Sequence, residues 1–189
     1  MNTYDFDKTI FYPDSSVTFV KWYMRRHPSA LLLWLPRMAV IGLLYVLKLI
    51  PKEKLKENIF SFVRRIDDID AVLKTYWDEH EDWIAPWYRD RHKADDIVIS
   101  ASPEFIVKPM TDRLGIELIA SPMDKHTGKM YGKNCYGEEK VRRFYELHPD
   151  AVTEEFYSDS LSDSPMARIA QSAYLVVDKG QRTIPWPEE

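Results

Sequence analysis

The chain begins with two carboxylates separated by one residue, in the segment Asp5-Phe6-Asp7-Lys8-Thr9. Residues 3–6 predict a short strand, and alternate residues of a strand point to the same side, so both carboxylates can face one ligand. Two neighbouring carboxylates repel each other unless a cation lies between them, and their hard oxygen atoms suit Mg²⁺. The pair predicts a magnesium site at the end of the first strand, although an ordinary acidic turn explains it equally well.

A hydroxyl group follows the predicted strand Ile97-Val98-Ile99. This strand delivers Ser100 at its carboxyl end, where ligands bind in open α/β sheets. Ser102 and Pro103 resemble the N-cap and the first residue of a helix, whose free N–H groups would face the same crevice. Ser100 is therefore a candidate ligand-binding residue, and a plain helix cap is the alternative interpretation of the segment.

Two further groups lie in the last third of the chain. Lys140 falls in the first turn of a predicted helix, where a cation opposes the helix dipole unless an anion is bound nearby. Lys133 is a rival for the same role. The segment Tyr157–Pro165 places two carboxylates, Asp159 and Asp163, after an apolar strand and before a helix that starts at proline. Turn and cap chemistry alone also explains these carboxylates.

The elements that must position these groups alternate between strands and helices. Strands are predicted over 3–6, 97–99, 116–119, 152–157 and 174–177, and helices over 103–114, 138–147 and 165–171. Residues 15–92 predict helices broken by four prolines. This alternation favours an α/β fold with a parallel sheet covered on both faces. We therefore expect a core of 1–13 and 93–189, with 14–92 as a helical insert after the first strand.

The composition excludes several classes of protein. The formal net charge of −4 gives no reason to expect a nucleic-acid partner. The single cysteine, Cys135, excludes an internal disulfide, and no Cys/His cluster has the spacing of a zinc site. The N-terminal residues are not a basic start followed by an apolar stretch, so we expect no secretion signal and a catalytic end that faces the cytoplasm.

The insert combines basic and apolar residues. Residues 20–65 contain ten Lys and Arg but two acidic residues, and they include the most apolar run, Ala30–Ile50. The run is nominally long enough to cross a bilayer, but Pro36 and Arg37 interrupt it, and the chemical groups before and after it must meet in one site. We expect an interfacial or re-entrant hairpin on an anionic membrane, and a buried helix is the alternative. The basic side chains expected to reach the head groups are Lys21, Arg25, Arg26, Lys52, Lys54 and Lys56.

The order and spacing of the four groups resemble the signature motifs of the haloacid dehalogenase (HAD) superfamily: acidic pair plus Thr, strand-end Ser, Lys, and final acidic pair. The resemblance covers nearly the whole chain and is strongest to the phosphoserine phosphatase-like branch, subfamily IB. It implies a HAD-like Rossmannoid core with a helical C1-type cap inserted after the first strand. The last motif departs from that branch, because Ser158 and Ser160 replace its glycines.

Looser features resemble phosphatidylglycerophosphatase C within this branch. They are the segments Leu118–Ser121, Cys135–Val141 and Tyr157–Ser160, together with Arg25–Pro28 before the leucine-rich run. This resemblance implies a membrane lipid phosphate, such as phosphatidylglycerophosphate, as the substrate. It also implies a cytoplasmic protein that is peripheral at the inner face of the membrane.

The family resemblance implies a role for each matched residue. Asp5 would be the nucleophile that forms an aspartyl phosphate, and Asp7 would be the general acid and then the general base. The Mg²⁺ ligands would be Asp5, the backbone carbonyl of Asp7 and Asp159, with Asp163 orienting them. The residues that hold the phosphoryl oxygens would be Ser100 and Lys140, with Thr9 in support.

Three functions are compatible with these observations. The first is a Mg²⁺-dependent phosphomonoester hydrolase that acts on a membrane lipid. The second keeps the chemistry but takes a soluble metabolite such as phosphoserine as its substrate. The third is a membrane-peripheral binding module that no longer turns over. The intact acidic pairs at both ends of the chain count against the third function, because a binding module does not need them.

Overall fold

A computed structural model describes residues 1–187 and contains a six-stranded sheet in the order β3-β2-β1-β4-β5-β6. The strands are β1 (Thr3–Tyr4), β2 (Ile97–Pro103), β3 (Glu117–Ser121), β4 (Glu155–Ser158), β5 (Ser172–Val177) and β6 (Arg182–Pro185). β1 to β5 pair in parallel, whereas β6 is antiparallel to β5. The predicted α/β class with a mostly parallel sheet is confirmed. The sequence analysis does not predict β6.

The helices within residues 1–187 fall into two groups. Those between β1 and β2 are α1 (Ser15–Arg26), α2 (Pro28–Val46), α3 (Lys52–Ile59), α4 (Ile69–His80) and α5 (Pro86–Arg89). Those that connect later strands are α6 (Glu104–Leu114), α7 (Glu138–Leu147) and α8 (Ser164–Ile169). The helical insert therefore follows the first strand, at the position that the sequence predicts.

β1 lies at the point where the direction of the strand order reverses. Thr3 pairs with Ile97 of β2 on one side and with Phe156 of β4 on the other. The chain moves outward through β2 and β3 in one direction and through β4, β5 and β6 in the other. A crevice forms at such a switch point outside the carboxyl ends of the strands. The residues that directly follow β1 and β4, and those that end β2, therefore meet there.

The second part of the insert packs on the sheet as part of the main hydrophobic core. The indole N–H of Trp77, in α4, donates to the backbone carbonyl of Ile106 at 2.8 Å, and its ring lies 5.1 Å from the ring of Phe11. Tyr88, in α5, contacts Tyr4 edge-on at 4.9 Å between ring centroids. Packing thus joins α4 and α5 to the core. A separate unit over residues 14–92 stays a prediction. A core that extends to residue 189 also stays a prediction, because residues 188 and 189 lie outside the part of the chain that the structure describes.

α2 is an apolar helix that lies exposed. None of its 19 residues is buried, and Leu32, Leu33 and Val40 are among its solvent-exposed apolar side chains. By length and composition alone, α2 is the one helix among residues 1–187 that is long and apolar enough to cross a membrane. The alternative of a helix buried inside a soluble insert is wrong for this structure.

Lys56 differs from the prediction that it reaches outward to lipid head groups. Its ammonium group donates to the backbone carbonyl of Ala101 at 2.6 Å and to the side-chain oxygen of Asn134 at 2.5 Å. Burial lowers the pKa of Lys56 to about 8, and the nearby charge of Lys52 adds to this effect. Lys56 therefore joins the insert to the core, because two oxygen acceptors of the core lie within reach of α3.

Candidate active site

A cleft of about 730 Å³ lies beside the carboxyl ends of the central strands, and its lining includes carboxylates, apolar side chains and lysines as well as serines. The carboxylates are Asp5, Asp7, Asp14, Asp159 and Asp163. The apolar side chains that α1 to α3 and the turn that follows supply are Val17, Val20, Met24, Leu31, Trp34, Ile59 and Phe60. The lysines are Lys8, Lys21, Lys52, Lys56 and Lys140. The volume is in the range of small-molecule sites.

Asp5 and Lys140 form a buried ion pair at the end of β1. Oδ1 of Asp5 accepts a hydrogen bond from Nζ of Lys140 at 2.6 Å, and the same ammonium group donates to Oδ2 of Asp163 at 2.8 Å. Asp5 is 7% exposed and Lys140 is 1% exposed. The hydroxyl of Ser158 also donates to Oδ2 of Asp163, at 2.7 Å. Of the two rival lysines, Lys140 lies at the carboxylates, whereas Lys133 is exposed.

Burial dominates the electrostatics of these groups. It raises the pKa of Asp5 to about 8 against the attraction of Lys140, and the negative charges of Asp163 and Asp7 add to the rise. Burial also raises the pKa of Asp7 to about 6, with a contribution from Asp14. Burial acts to lower the pKa of Lys140, but the two carboxylates that it contacts outweigh this effect and raise it. Lys140 therefore stays charged.

Asp7 has a hydrogen-bond donor on each carboxylate oxygen. Oδ1 accepts from the backbone N–H of Ser15, the first residue of α1, at 2.6 Å, and Oδ2 accepts from the hydroxyl of Ser102. The prediction that Ser102 caps the next helix is wrong, because Pro103 occupies the cap position and α6 begins at Glu104. The hydroxyl of Ser102 donates to Asp7 instead of capping α6. A hydrogen bond to an ionised carboxylate is stronger than a hydrogen bond between two neutral groups.

Ser100 and Thr9 are fully buried, and their hydroxyl oxygens accept backbone N–H groups. Oγ of Ser100 accepts from the N–H of Ser102 at 3.0 Å, and Oγ1 of Thr9 accepts from the N–H of Asp159 at 3.0 Å. These bonds hold the backbone of Ser102 and of Asp159 at the cleft. A direct contact of Ser100 or Thr9 with a phosphoryl group stays a prediction.

The donor set at the carboxylate end suits a hard divalent cation. Burial raises the pKa of Asp159, as it does for Asp5 and Asp7, so each of these carboxylates is costly to ionise without a cation beside it. A doubly charged cation that takes oxygen ligands would favour their ionised forms. Among residues 1–187, no three His, Cys, Asp or Glu side chains form a metal cluster by themselves. The predicted ligand set needs two carboxylates, Asp5 and Asp159, plus the backbone carbonyl of Asp7.

Sequence reasoning misses Ser16, the inward direction of Lys56 and the contact of Ser102 with Asp7. Oγ of Ser16 lies 2.8 Å from Oγ of Ser102, although 86 positions separate them in the chain. Ser16 stands in the first turn of a predicted helix, where serine is ordinary, so the sequence carries no signal for this contact. Lys56 belongs to a run of alternating lysines, and α-helical geometry separates the directions of its members. The sequence alone does not mark which of them turns inward.

We expect the replacement Asp7→Asn to stabilise the metal-free protein at pH 7.5 by about 1–3 kcal/mol. The pKa of Asp7 is about 6 in the folded protein and near its ordinary value of 3.8 when unfolded, so the folded state binds this proton more tightly. The charged carboxylate therefore lowers the free energy of unfolding by its full amount above pH 6. This effect becomes smaller as the pH falls towards 4. Urea unfolding in EDTA at pH 7.5 and pH 5 measures both values.

The gain from Asp7→Asn should shrink at pH 5, because the native aspartate then carries its proton. The control is Asp67→Asn, which removes an exposed carboxylate. A destabilised Asp7→Asn variant, or a gain that is independent of pH, would contradict the raised pKa assigned to Asp7.

Comparison with known proteins places the chain in a family. Residues 3–168 match the haloacid dehalogenase-like hydrolases. The chain is similar to Protein CicA of Caulobacter vibrioides, with 32% identity over 108 residues, which are 53% of this chain and 49% of CicA. The chain thus spans about half the length of the curated relatives it matches.

Solved structures of low identity share the fold. A protein of unknown function from Bordetella pertussis superposes with a TM-score of 0.75 at 17% identity, covering 92% of this chain and 87% of that one. A phosphoserine phosphohydrolase-like protein from Francisella tularensis superposes with a TM-score of 0.54 at 12% identity, covering 92% and 86%. Both likenesses show the overall fold that the chain shares with these proteins. The chain belongs to the haloacid dehalogenase-like hydrolase family.

Proposed function

We propose that this protein is a Mg²⁺-dependent phosphomonoester hydrolase that acts through an aspartyl phosphate on Asp5. The observation that carries the proposal is the buried contact between Asp5 and Lys140, at the carboxyl end of the central strand of a hydrolase fold. Lys140 holds one carboxylate oxygen of Asp5, which leaves the other to attack phosphorus. Asp7 and Asp159 line the same cleft.

The residues of the cleft divide the reaction between them. Asp5 attacks phosphorus, and water then attacks the aspartyl phosphate, so that one difficult hydrolysis becomes two easier steps. Asp7 protonates the leaving oxygen and later takes a proton from the water, and its raised pKa suits both tasks near neutral pH. Lys140 stabilises negative charge on the transferred group. When bound by Asp5, Asp159 and the backbone carbonyl of Asp7, Mg²⁺ supplies charge neutralisation between phosphate and carboxylates.

Hydrolysis of 4-nitrophenyl phosphate, with Mg²⁺ and with EDTA, tests this proposal. We expect turnover that depends on Mg²⁺ and returns when the metal is restored. A protein that binds Mg²⁺ but hydrolyses no phosphomonoester would contradict the proposal and favour the inactive binding module. Activity that is unchanged in EDTA would contradict the ligand role of Asp159.

A lipid-linked phosphomonoester, such as phosphatidylglycerophosphate, is the substrate that we propose for this site. The carboxylates share their cleft with a wall of apolar side chains from the insert, among them Leu31 and Trp34 of α2. Such a wall complements glycerol and acyl carbon atoms, whereas the ammonium and carboxylate groups of phosphoserine require polar partners. A panel of both substrates separates the two: kcat/KM should favour the lipid phosphate, and a preference for phosphoserine would overturn this choice.

An anionic membrane surface is the partner that we propose for α2, which places the protein at the inner face of the membrane. The solvent-exposed apolar side chains of α2 include Leu32, Leu33 and Val40, and the exposed cations Arg25 and Lys48 flank the helix. An apolar helix face with basic residues beside it is typical of binding at an anionic interface. The face is continuous with the cleft, because other residues of α2 line the site itself.

Arg37 supports an interfacial position for α2. Although it lies in the middle of the apolar helix, its guanidinium group donates to Oδ1 of Asn58, in α3, at 3.1 and 2.6 Å. The charge is therefore directed to the neighbouring helix of the protein. The indole N–H of Trp34 likewise donates to the carbonyl of Ile59 at 2.9 Å. The side of α2 that faces α3 carries its polar contacts, which leaves the other side apolar.

Vesicle flotation measures the membrane contact. We expect the protein to float with vesicles rich in phosphatidylglycerol at low salt and to bind neutral vesicles more weakly. The triple replacement of Leu32, Leu33 and Val40 by Gln should lower the floated fraction about tenfold or more, because burial of each side chain contributes about 1.5–3 kcal/mol. Replacement of Arg25 and Lys48 by Glu should weaken binding and its dependence on salt.

Matched controls separate membrane attachment from damage to the fold. Val152→Gln removes an exposed apolar side chain elsewhere, and Lys133→Glu reverses an exposed charge outside α2. Neither control should change flotation, and all variants should hydrolyse 4-nitrophenyl phosphate at the rate of the parent. A parent protein that stays below anionic vesicles at low salt would refute the membrane contact and leave the phosphatase proposal standing.

A further inference from the structure

Three hydroxyl groups extend from Asp7 and connect the core to the insert. The hydroxyl of Ser102, at the end of β2, donates to Oδ2 of Asp7. Oγ of Ser16 lies 2.8 Å from Oγ of Ser102, and the hydroxyl of Ser15 reaches the same oxygen at 3.3 Å. Ser15 and Ser102 are buried, and Ser16 lines the cleft. The chain of hydroxyls therefore runs from the half-buried carboxylate of Asp7 to the wall of the cleft.

The backbone fixes the position of Ser102. Its N–H donates to Oγ of the fully buried Ser100 at 3.0 Å, and its pairing with β3 is irregular between Ser100 and Pro103. The backbone irregularity and this bond set the direction in which the side chain leaves the strand. Ser102 is thus held by the core, while the hydroxyl groups that meet it belong to α1.

Oγ of Ser102 lies within hydrogen-bond distance of Oγ of Ser16, and either oxygen atom is able to donate. Because the hydroxyl of Ser102 donates to Asp7, its oxygen accepts from Ser16. The three groups therefore form one directed series of hydrogen bonds that ends on Oδ2 of Asp7.

We propose that Ser102, supported by Ser16, is the positioning residue of Asp7 and holds its carboxyl group in line with the leaving oxygen during both halves of the reaction. The N–H of Ser15 fixes the other oxygen of Asp7, at 2.6 Å, so the side chain is held from two sides. Fixed placement of a proton donor contributes to the rate because a misdirected donor must first be reoriented. The inference rests on the proposed phosphatase function.

This arrangement also links the insert to catalysis. Ser15 and Ser16 belong to α1 in the insert, whereas Ser102 belongs to β2 in the core. Asp7 therefore has its full set of hydrogen-bond partners only while α1 is seated against β2. Displacement of α1 would leave Asp7 with the single donor that the core supplies.

The proton balance of the two steps leaves Ser102 unchanged. In the first step, an oxygen of Asp5 bonds to phosphorus, the bond from phosphorus to the leaving oxygen breaks, and the proton of Asp7 moves to that oxygen. In the second step, a water oxygen bonds to phosphorus, the bond to Asp5 breaks, and a proton of the water moves to Asp7. The hydroxyl of Ser102 keeps donating to Asp7 in both steps and neither gains nor loses a proton.

The replacement Ser102→Ala tests the proposal through its dependence on the leaving group. Phenyl phosphate and 4-nitrophenyl phosphate are nearly equal in size, but phenolate is the stronger base and needs a proton to leave. With Mg²⁺ present, we expect kcat/KM for phenyl phosphate to fall by about tenfold or more, and for 4-nitrophenyl phosphate by less than about threefold. Ser16→Ala should change the two esters in the same direction by a smaller factor.

The control variant is Ser61→Ala, which removes a hydroxyl that donates to the carbonyl of Asn58 in the insert, and it should leave both esters unchanged. Equal losses on the two esters, or no loss on either, would overturn the positioning role of Ser102. Combination of Ser102→Ala with Asp7→Asn should add nothing to the loss from Asp7→Asn, and an additive effect would also overturn it. If the parent protein hydrolyses neither ester, the phosphatase function itself fails.

Discussion

The replacement Asp5→Asn is expected to lower kcat/KM for 4-nitrophenyl phosphate by at least about 10⁴-fold, because loss of a nucleophile removes the covalent route. The amide group of asparagine does not form an aspartyl phosphate. Asparagine has nearly the same shape as aspartate, and its carbonyl oxygen still accepts the hydrogen bond that Lys140 donates at 2.6 Å. The fold should therefore persist while turnover stops.

A matched variant and a folding measurement accompany this result. Asp67→Asn makes the same chemical change at an exposed position and should keep full activity. Circular dichroism and thermal unfolding show whether the Asp5→Asn protein is folded. Residual activity of the folded variant within about tenfold of the parent would exclude Asp5 as the nucleophile.

The replacement Lys140→Met should have the second large effect, on stability as well as on activity. Lys140 is the ammonium group that contacts both Asp5 and Asp163 in the buried part of the site. Methionine keeps the approximate length of the side chain but leaves two carboxylates without this partner. Breaking a buried ion pair by removing one member costs about 3–5 kcal/mol, and we expect a loss of stability in this range at pH 7.5.

The dependence of the stability loss on pH and on Mg²⁺ shows whether the loss in Lys140→Met comes from the carboxylates left without a partner. Protonation removes the charge of an unpartnered carboxylate, so the loss of stability should shrink as the pH falls. Mg²⁺ should recover part of the stability, since a ligand that binds the folded state stabilises it. Lys133→Met, which removes an exposed lysine, should change the free energy of unfolding by less than about 0.5 kcal/mol. A Lys140→Met protein as stable as this control would contradict the buried ion-pair network.

The groups at the strand ends are the part of the site that sequence predicts well. Apolar segments ahead of Asp5 and Asp159 identify strands, and parallel strands bring their carboxyl ends to one edge, so the meeting of these residues follows from topology. The first turn of α7 likewise places Lys140 where a long side chain reaches that edge. Local patterns and strand order suffice for these positions.

Contacts that depend on details of the backbone are outside the reach of the sequence. The irregular end of β2 directs Ser102 to Asp7 instead of to a helix cap, and the residue types in this segment do not predict that irregularity. The inward direction of Lys56 depends on how α3 is rotated against the core. β6 is a short, half-exposed edge strand, and such strands have little apolar pattern.

The stereochemistry at phosphorus tests the central claim most directly. A phosphomonoester made chiral with three oxygen isotopes is cleaved by the Mg²⁺-loaded parent protein in the presence of an alcohol acceptor. The configuration of the phosphoryl group is then determined in the new ester. Two successive in-line displacements, first by Asp5 and then by the acceptor, predict retention of configuration. Inversion would show a single direct displacement and would contradict an aspartyl phosphate on Asp5.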